Sequence, residues 1–246
     1  MVSFAAEPIF RLGFFNVTNS FLDTLLVDGL LIGLIVAINK KISLIPGFLQ
    51  NLVEMTVETF YEITESVANE RASKIFPYLM SFFLFILLAN WSGLIPGISA
   101  IGIKEGSKII PFLRPATSDL NTTLGLALVS LVATHVMSIR VTGIKDYLGR
   151  YISLNPLNLY IGILELVGEV VKVISLSFRL FGNIFAGEIV LGTVSTIFAF
   201  VFPLPFLMLE VIVGLVQALV FAMLTMAFMA VLTTPHHEEI REVSKV

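Results

Sequence analysis

The sequence predicts an all-α integral membrane protein with about five membrane-embedded helices and one amphipathic helix at the membrane surface. Of the 246 residues, 57% are hydrophobic and only 13% are charged, and the mean hydropathy is +0.95. This composition is typical of membrane proteins. The apolar residues also form five long blocks, each with the roughly twenty residues needed to cross a hydrocarbon core.

Several chemistries are excluded or disfavoured by what the sequence contains. It has no cysteine, which removes disulfides, thiol nucleophiles and thiolate metal sites. The net charge of -3 gives no indication of a nucleic-acid partner. His236 and His237 follow Pro235 in a charged tail, which favours a solvated segment over a metal pair. With no phosphate-binding loop, catalytic triad or metal constellation, we expect no metal and no cofactor, and nucleotide chemistry on another chain.

The first half of the predicted single membrane domain, 1–246, begins with a segment outside the bilayer. Residues 1–19 lack a basic start followed by an apolar run, so they do not resemble a cleaved signal peptide. A membrane helix is predicted over 20–39. Residues 48–70 form an amphipathic interfacial helix, because apolar residues alternate with glutamates at helical spacing. Its two sides consist of Leu52, Met55, Phe60, Ile63 and Val67, and of Glu54, Glu58, Glu62 and Glu65.

The remaining membrane helices are predicted over 75–96, 120–140, 157–202 and 204–234, followed by an inner tail over 235–246. A loop of about twenty residues separates 75–96 from 120–140. The block 157–202 contains no proline and would be about 70 Å long as one helix, more than twice what a vertical crossing needs. It must therefore fold back or lie steeply tilted, and Pro203 with Pro205 supply the turn into the last helix.

Basic residues predict the orientation of the chain. With the amino terminus outside, the inner segments hold nine basic residues and the outer segments four, which favours this orientation and an inner carboxyl terminus. The inner set is Lys40, Lys41, Arg71, Lys74, Arg140, Lys145, Arg150, Arg241 and Lys245, and the outer set is Arg11, Lys104, Lys108 and Arg114.

The two long helices carry charged and polar residues where these are costly. A central arginine or aspartate costs about 2.5 to 3.5 kcal/mol in a membrane helix, so we expect these residues to have a specific structural or functional role. Five of these residues lie within about 80° on a helical wheel and form one polar stripe: Glu165, Glu169, Lys172, Arg179 and Asn183. Glu188 lies off that stripe, and Glu210 and Gln217 share a face of the last helix.

Structural roles are open for part of this set. Glu169 and Lys172 have the i, i+3 spacing of a local ion pair, and Asp119 can cap the helix that follows it. His135 is better explained as an interfacial side chain than as a proton relay. Arg179 is different, because its neighbours in sequence are apolar and it has no acidic residue at i±3 or i±4.

Three stretches of the chain resemble the subunit a family of rotary ATP synthases. The strongest is SLSFRLFGNIFAGE, from Ser175 to Glu188, and the others are PATSDLNTT from Pro115 and ANWSGLIPG from Ala89. The resemblance implies two long, tilted helices that form a hairpin against a rotor ring of c subunits. It also implies b subunits of a peripheral stalk, the remaining ATP synthase complex and the lipid bilayer as partners.

The resemblance assigns the family's essential arginine to Arg179, and its neighbouring proton-translocating positions to Asn183, Glu188, Glu210 and Gln217. Some relatives carry histidine where this chain has one of the two glutamates. Two offset half-channels are implied, with candidate lining residues Asp119, Asn121, Glu165, Glu169, Lys172 and Ser175. The chain would then not be an enzyme by itself. Because an Arg-rich transit segment is lacking, we expect a multi-pass protein of a bacterial plasma (inner) membrane.

Two rival functions remain open at this point. An ion-coupled secondary transporter also places charges near the membrane midplane, but such proteins usually contain repeated halves, and no repeat is found here. A purely structural membrane anchor has no need of an unpaired arginine in an apolar helix. Whether the transported ion is a proton or sodium depends mainly on the rotor carboxylate, and we favour protons.

Overall fold

The computed structural model describes residues 6–12, 15–40, 47–95, 101–105, 108–151, 156–197 and 203–234. Within these ranges the chain forms seven α-helices, two 3₁₀ turns and two β-hairpins. The helices are α1 (Asn19–Lys40), α2 (Phe48–Ala68), α3 (Ala72–Ser92), α4 (Leu120–Thr142), α5 (Ile144–Tyr151), α6 (Pro156–Ile197) and α7 (Pro203–Leu232). The 3₁₀ turns are Asn69–Arg71 and Ala116–Ser118. The predicted inner tail 235–246 lies outside the described residues, as do Pro96 and residues 198–202.

Four helical stretches among the described residues are long and apolar enough to cross a membrane: Asn19–Lys40, Gln50–Ser92, Leu120–Thr142 and Pro203–Leu232. They confirm the predicted class, an all-α integral membrane protein. The predicted long block is a single helix, α6, of 42 residues. Its polar residues therefore keep a continuous helical relationship along its length.

The helix bundle is centred on α3, which packs against α7, while α6 packs against both α4 and α7. The core contains Ile75, Leu79 and Ile86 of α3 and Met229 of α7, all with no exposed surface. Phe82 and Phe221 join α3 to α7 through rings whose centroids are 5.6 Å apart. This packing fixes α7 beside α6, and so fixes the relative positions of their polar residues.

Helix α2 folds back along α3 instead of standing apart from the bundle. Its Phe60 is buried against Phe83, with ring centroids 4.6 Å apart. The reversal occurs at Asn69, which has a positive φ of 48°. Other apolar residues of α2, such as Met55 and Val67, stay exposed. The placement of this amphipathic helix at the membrane surface remains a prediction.

Two β-hairpins and one short helix were not expected from the sequence. Strands β1 (Pro8–Leu12) and β2 (Phe15–Thr18) form one antiparallel hairpin, and β3 (Gly102–Glu105) and β4 (Lys108–Pro111) form another. Helix α5 has eight residues. Elements of four to eight residues are too short for their hydrophobic periodicity to be distinguished from that of a loop.

Both hairpins adjoin the same end of the bundle, where α3 ends and α4 begins; we call it the β-hairpin end. Asp23 of α1 fixes this end, since its Oδ2 accepts hydrogen bonds from Ser92 Oγ (3.0 Å) and from the Ala116 N–H (2.8 Å). We call the opposite end, where α4 and α7 finish beside α5, the α5 end. Arg150 of α5 donates to the Thr234 carbonyl there, at 3.0 Å.

Candidate functional site

Arg179 lies on the outward face of α6, away from the helix bundle. The neighbouring Leu180 is 1% exposed and points into the core, whereas Arg179 itself is exposed. Its Nη2 donates to Ser175 Oγ, one turn earlier, at 3.4 Å. Within the described part of the chain Arg179 forms no ion pair. The structure therefore presents an arginine charge on a surface that the described part of the chain leaves uncovered.

The residues around Arg179 are small or polar and share its outward face. Ser175, Gly182, Asn183 and Ala186 are all exposed. A Cβ atom added at Gly182 would meet nothing within 4 Å. A helix of another protein could therefore approach α6 closely at this level, because small residues permit close helix contact in membranes.

Glu188, two turns beyond Arg179, points to a different neighbour. Its Oε2 lies 3.2 Å from Nη2 of Arg114, a side chain that is only 5% exposed and precedes the 3₁₀ turn Ala116–Ser118. Arg114 Nε also donates to Ser118 Oγ at 2.9 Å. In the sequence, Arg114 was counted only as an outer basic residue. Its contact with Glu188 spans 74 positions, and no local pattern predicts it.

Glu210 of α7 reaches the same region from the other side. It is 8% exposed, and its Oε2 has no hydrogen-bond partner among the described residues. Its carboxylate lies against Gly187 and is close enough to Glu188 for the two charges to interact. The structure thus brings together two glutamates that the sequence nominated separately. Gln217, two turns further along α7, is half-buried.

Asp119 and Asn121 lie at the start of α4, also at the β-hairpin end. Asp119 is the N-cap of α4: its carboxylate accepts from the Asn121 N–H at 3.3 Å and from Thr122 Oγ1 at 3.4 Å. This satisfies one of the free N–H groups of the helix start. Asp119 thus has the capping role that the sequence left open, and Asn121 is exposed beside it.

A second polar cluster lies at the α5 end, built on the first half of α6. Glu169 Oε1 pairs with Lys172 Nζ at 2.7 Å, and Glu169 Oε2 lies 3.8 Å from His135 Nε2. Lys172 also stands 4.5 Å from the centre of the Phe228 ring. The spacing of Glu169 and Lys172 had suggested this local pair. A small cavity beside them is also lined by Ser130 and Thr134 of α4.

Helix α5 contributes residues to this cluster that the sequence did not nominate. Tyr147 Oη is 3.0 Å from Nδ1 of His135, and Arg150 Nη1 is 3.7 Å from Oε1 of Glu165. Burial raises the pKa of Tyr147 above its ordinary value, and the charges of Glu169 and Glu165 act in the same direction. His135, whose interfacial position remains a prediction, connects α5 to Glu169. These contacts depend on the fold of α5, which periodicity did not reveal.

The two clusters lie on either side of Arg179 along α6. Nine residues separate Arg179 from Glu188 and seven separate it from Lys172, or about 13 Å and 10 Å at 1.5 Å per residue. Each cluster contains acidic groups that can exchange protons. The arrangement can therefore deliver protons toward one fixed cation from either end of the bundle.

Comparison with known proteins identifies the family. The family model described as ATP synthase A chain matches residues 21–230. The chain is 31% identical, over 222 residues, to the ATP synthase subunit a of Moorella thermoacetica, covering 90% of this chain and 94% of that protein. The resemblance stated from the sequence is thus confirmed, and the transporter alternative gains no support. The chain belongs to the ATP synthase A chain family and is a proton-translocating stator subunit of an ATP synthase, not itself catalytic.

Proposed function

We propose that Arg179 is the fixed charge at which a rotor carboxylate exchanges its proton, with separate polar paths leading from the two ends of the bundle. The single observation that carries this proposal is the exposure of Arg179 beside Ser175, on a face of α6 that no described residue covers. The surrounding small residues leave room for a ring of helices. That ring is the c ring of the complex to which the family belongs.

The electrostatic argument rests on the constant charge of arginine, which does not lose its proton in proteins. A protonated rotor carboxylate is neutral and can face lipid at little cost. When it reaches Arg179, the nearby cation lowers the pKa of that rotor carboxyl and promotes release of its proton. The same positive charge repels a proton moving directly from one path to the other, which prevents uncoupled leakage.

The entry path consists of residues at the β-hairpin end. Glu188 and Glu210 meet there, and the start of α4 adds Asp119 and Asn121. Protons taken from the outer side would pass these groups and neutralise a rotor carboxylate. Asn183 and Gln217 supply neutral polar groups between this path and Arg179.

The exit path consists of residues at the α5 end. Glu165, Glu169 and Lys172 of α6 are joined there by His135 and Tyr147. A proton released beside Arg179 would leave along these groups. Each proton that crosses 100 mV releases about 2.3 kcal/mol, which sets the scale of the work available for rotation.

Orientation and partners complete the proposal. The basic residues favour an outer amino terminus and an inner carboxyl terminus in a bacterial plasma membrane, so the β-hairpin end faces outward and the α5 end inward. The c ring lies against the outward face of α6 around Arg179. The b subunits of the peripheral stalk hold the chain in place against the turning ring.

Proton pumping tests the role of Arg179. Inverted vesicles carrying the assembled complex would be compared for wild type, Arg179→Ala and the matched control Arg140→Ala, an exposed arginine at the end of α4. We expect ATP-driven pumping to be abolished by Arg179→Ala and unchanged by the control, with both complexes assembled. Normal coupled pumping by Arg179→Ala would refute the proposal.

A further inference from the structure

The site at the β-hairpin end contains one arginine and two glutamates in unequal surroundings. Arg114 is held on one side by Ser118, through Nε to Oγ at 2.9 Å and Nη2 to the carbonyl at 3.4 Å. On the other side Arg114 Nη2 reaches Glu188 Oε2 at 3.2 Å. The Arg114 side chain is 5% exposed and the Glu188 side chain is 27% exposed. Glu188 therefore has a fixed, buried cation against it.

No cation among the described residues forms an ion pair with Glu210. It is 8% exposed, and no described residue forms a hydrogen bond with its Oε2. Gly187 permits the close approach of Glu210 to α6, because a Cβ atom at Gly187 would overlap Glu210 Oε1. The second carboxyl is thus held beside the first, with one oxygen left available.

These surroundings give the two carboxyl groups different tasks. An adjacent cation favours the ionised form of a carboxyl, whereas burial and a neighbouring negative charge favour the neutral form. Two further acidic groups at this end are engaged in other contacts: Asp119 caps α4, and Asp23 accepts hydrogen bonds from Ser92 and Ala116.

We infer that Arg114 is a positioning residue of the proton path: its ion pair holds Glu188 in place, so that Glu210, whose Oε2 is left available, is the group that carries the mobile proton. This rests on the proposed function of the chain. Glu210 Oε2 gains a proton from the outer aqueous side and gives that proton to a rotor carboxylate, returning to its ionised form. Arg114 takes no proton and touches no rotor group.

The different roles of Glu188 and Glu210 are tested by passive proton flux through the membrane sector. The flux is measured per assembled complex, in vesicles from which the catalytic sector has been removed. We expect Arg114→Gln to lower the flux by about tenfold or more, because Glu188 loses the ion pair that holds it in place beside Glu210. Arg114→Lys keeps the charge and should retain most of the flux. Arg140→Gln, an exposed arginine on α4, is the matched control.

A double variant separates the two glutamates. In the double variant Arg114→Gln/Glu188→Gln both members of the ion pair are replaced by neutral residues, so Glu210 has a neutral neighbour. The proton flux should then recover to within about threefold of wild type. Glu210→Gln should abolish flux in every background. The inference is overturned if Glu188→Gln abolishes flux in both backgrounds while Glu210→Gln is tolerated.

A purely structural role for Arg114 predicts something else. Arg114→Gln would then reduce the amount of assembled complex or its melting temperature, while flux per assembled complex stayed normal, and that result would also overturn the inference. Arg179→Ala belongs in the same series. If complexes with Arg179→Ala pump protons normally, the proposed function itself fails. If Arg179→Ala is defective but the Arg114 variants behave as wild type, the proposed function stands and this inference falls.

Discussion

The two polar clusters on α6 differ in how completely their charges are paired. At the α5 end, Glu165 and Glu169 each have a cationic partner, Arg150 and Lys172 respectively, and His135 lies near the second pair. At the β-hairpin end, a single arginine pairs with Glu188, and Glu210 keeps a buried carboxyl oxygen without a hydrogen-bond partner among the described residues. The bundle thus has paired carboxylates of α6 at one end and, at the other end, a carboxyl of α7 with an oxygen available for a proton.

This difference indicates different tasks for the two ends. A buried carboxyl without a cation is costly in its ionised form and readily binds a proton. A carboxylate paired with a cation holds a proton less tightly and passes it on readily. The first environment suits uptake of a proton before the rotor is neutralised, and the second suits removal of the proton that the rotor carboxyl releases on reaching Arg179.

The strongest test of whether the two clusters differ in role is to neutralise one glutamate at each end of the bundle. We expect Glu210→Gln to reduce passive proton flux by about a hundredfold or more, since it removes a group that itself binds the proton. Glu165→Gln should reduce flux by less than about tenfold, because Glu169 remains nearby. Proton flux per assembled complex is the measurement, and Glu62→Gln on the exposed side of α2 is the control. Equal effects at both ends would show that the two clusters have the same role.

Removing the buried carboxylate of the α5-end cluster should mainly affect stability. Glu169 is 4% exposed, and Glu169→Gln removes the negative charge that pairs with Lys172 Nζ at 2.7 Å. We expect the free energy of unfolding to fall by about 2 kcal/mol, because a hydrogen bond between two charged groups is replaced by a weaker one to a neutral amide. Thermal denaturation of the purified complex measures this loss.

A second substitution distinguishes the pair from other sources of instability. Replacing both residues, with Lys172→Met added to Glu169→Gln, should restore part of the stability, because no unpaired charge remains. Glu58→Gln, on the exposed side of α2, should leave the melting temperature unchanged. A double variant less stable than Glu169→Gln alone would contradict the argument.

The smallest expected effect concerns Tyr147. Its hydrogen bond with His135 is worth about 0.5 to 1.5 kcal/mol, so Tyr147→Phe should cause only a slight loss of stability. Because the pKa of Tyr147 is raised in the folded chain above 10.0, the folded state holds the phenol proton more tightly than the unfolded state does. The wild type should therefore lose stability as the pH rises above about 10, and Tyr147→Phe should lose less. Melting temperatures at pH 8 to 11 would test this, and identical pH dependences would contradict it.

The sequence was sufficient for features that depend on the periodicity of one helix. The proline-free run predicted either a fold-back or one steeply tilted helix, and the 100° rotation per residue placed Arg179 and Asn183 near one another on α6. The i, i+3 spacing predicted the ion pair of Glu169 and Lys172. Such relationships are local, so the geometry of a helix fixes them before any packing occurs.

Contacts between segments that are distant in the sequence could not be predicted in this way. The pairing of Arg114 with Glu188 depends on where the turn before α4 meets α6, and the meeting of Glu188 with Glu210 depends on how α6 packs against α7. The participation of His135 depends on α5, a helix too short to show a clear period. The family resemblance nominated both glutamates, whereas the contact of Arg114 with Glu188 became evident only from the structure.

The hydrogen bonds of Asn90 have a mechanical consequence. Its Nδ2 donates to the Gly214 carbonyl of α7 at 2.8 Å, its Oδ1 accepts from Thr117 Oγ1 at 2.7 Å, and the adjacent Trp91 donates to the Val211 carbonyl. Further hydrogen bonds join α4 to α6 and α7: Thr123 with Ser177, and Ser130 with Thr225. A rotor that pushes sideways on α6 and α7 exerts a shear force, and these cross-links transmit it to α3 and α4. The bundle can then resist this force as one rigid body. The free energy released by each proton therefore drives rotation of the ring and does not deform the helix bundle.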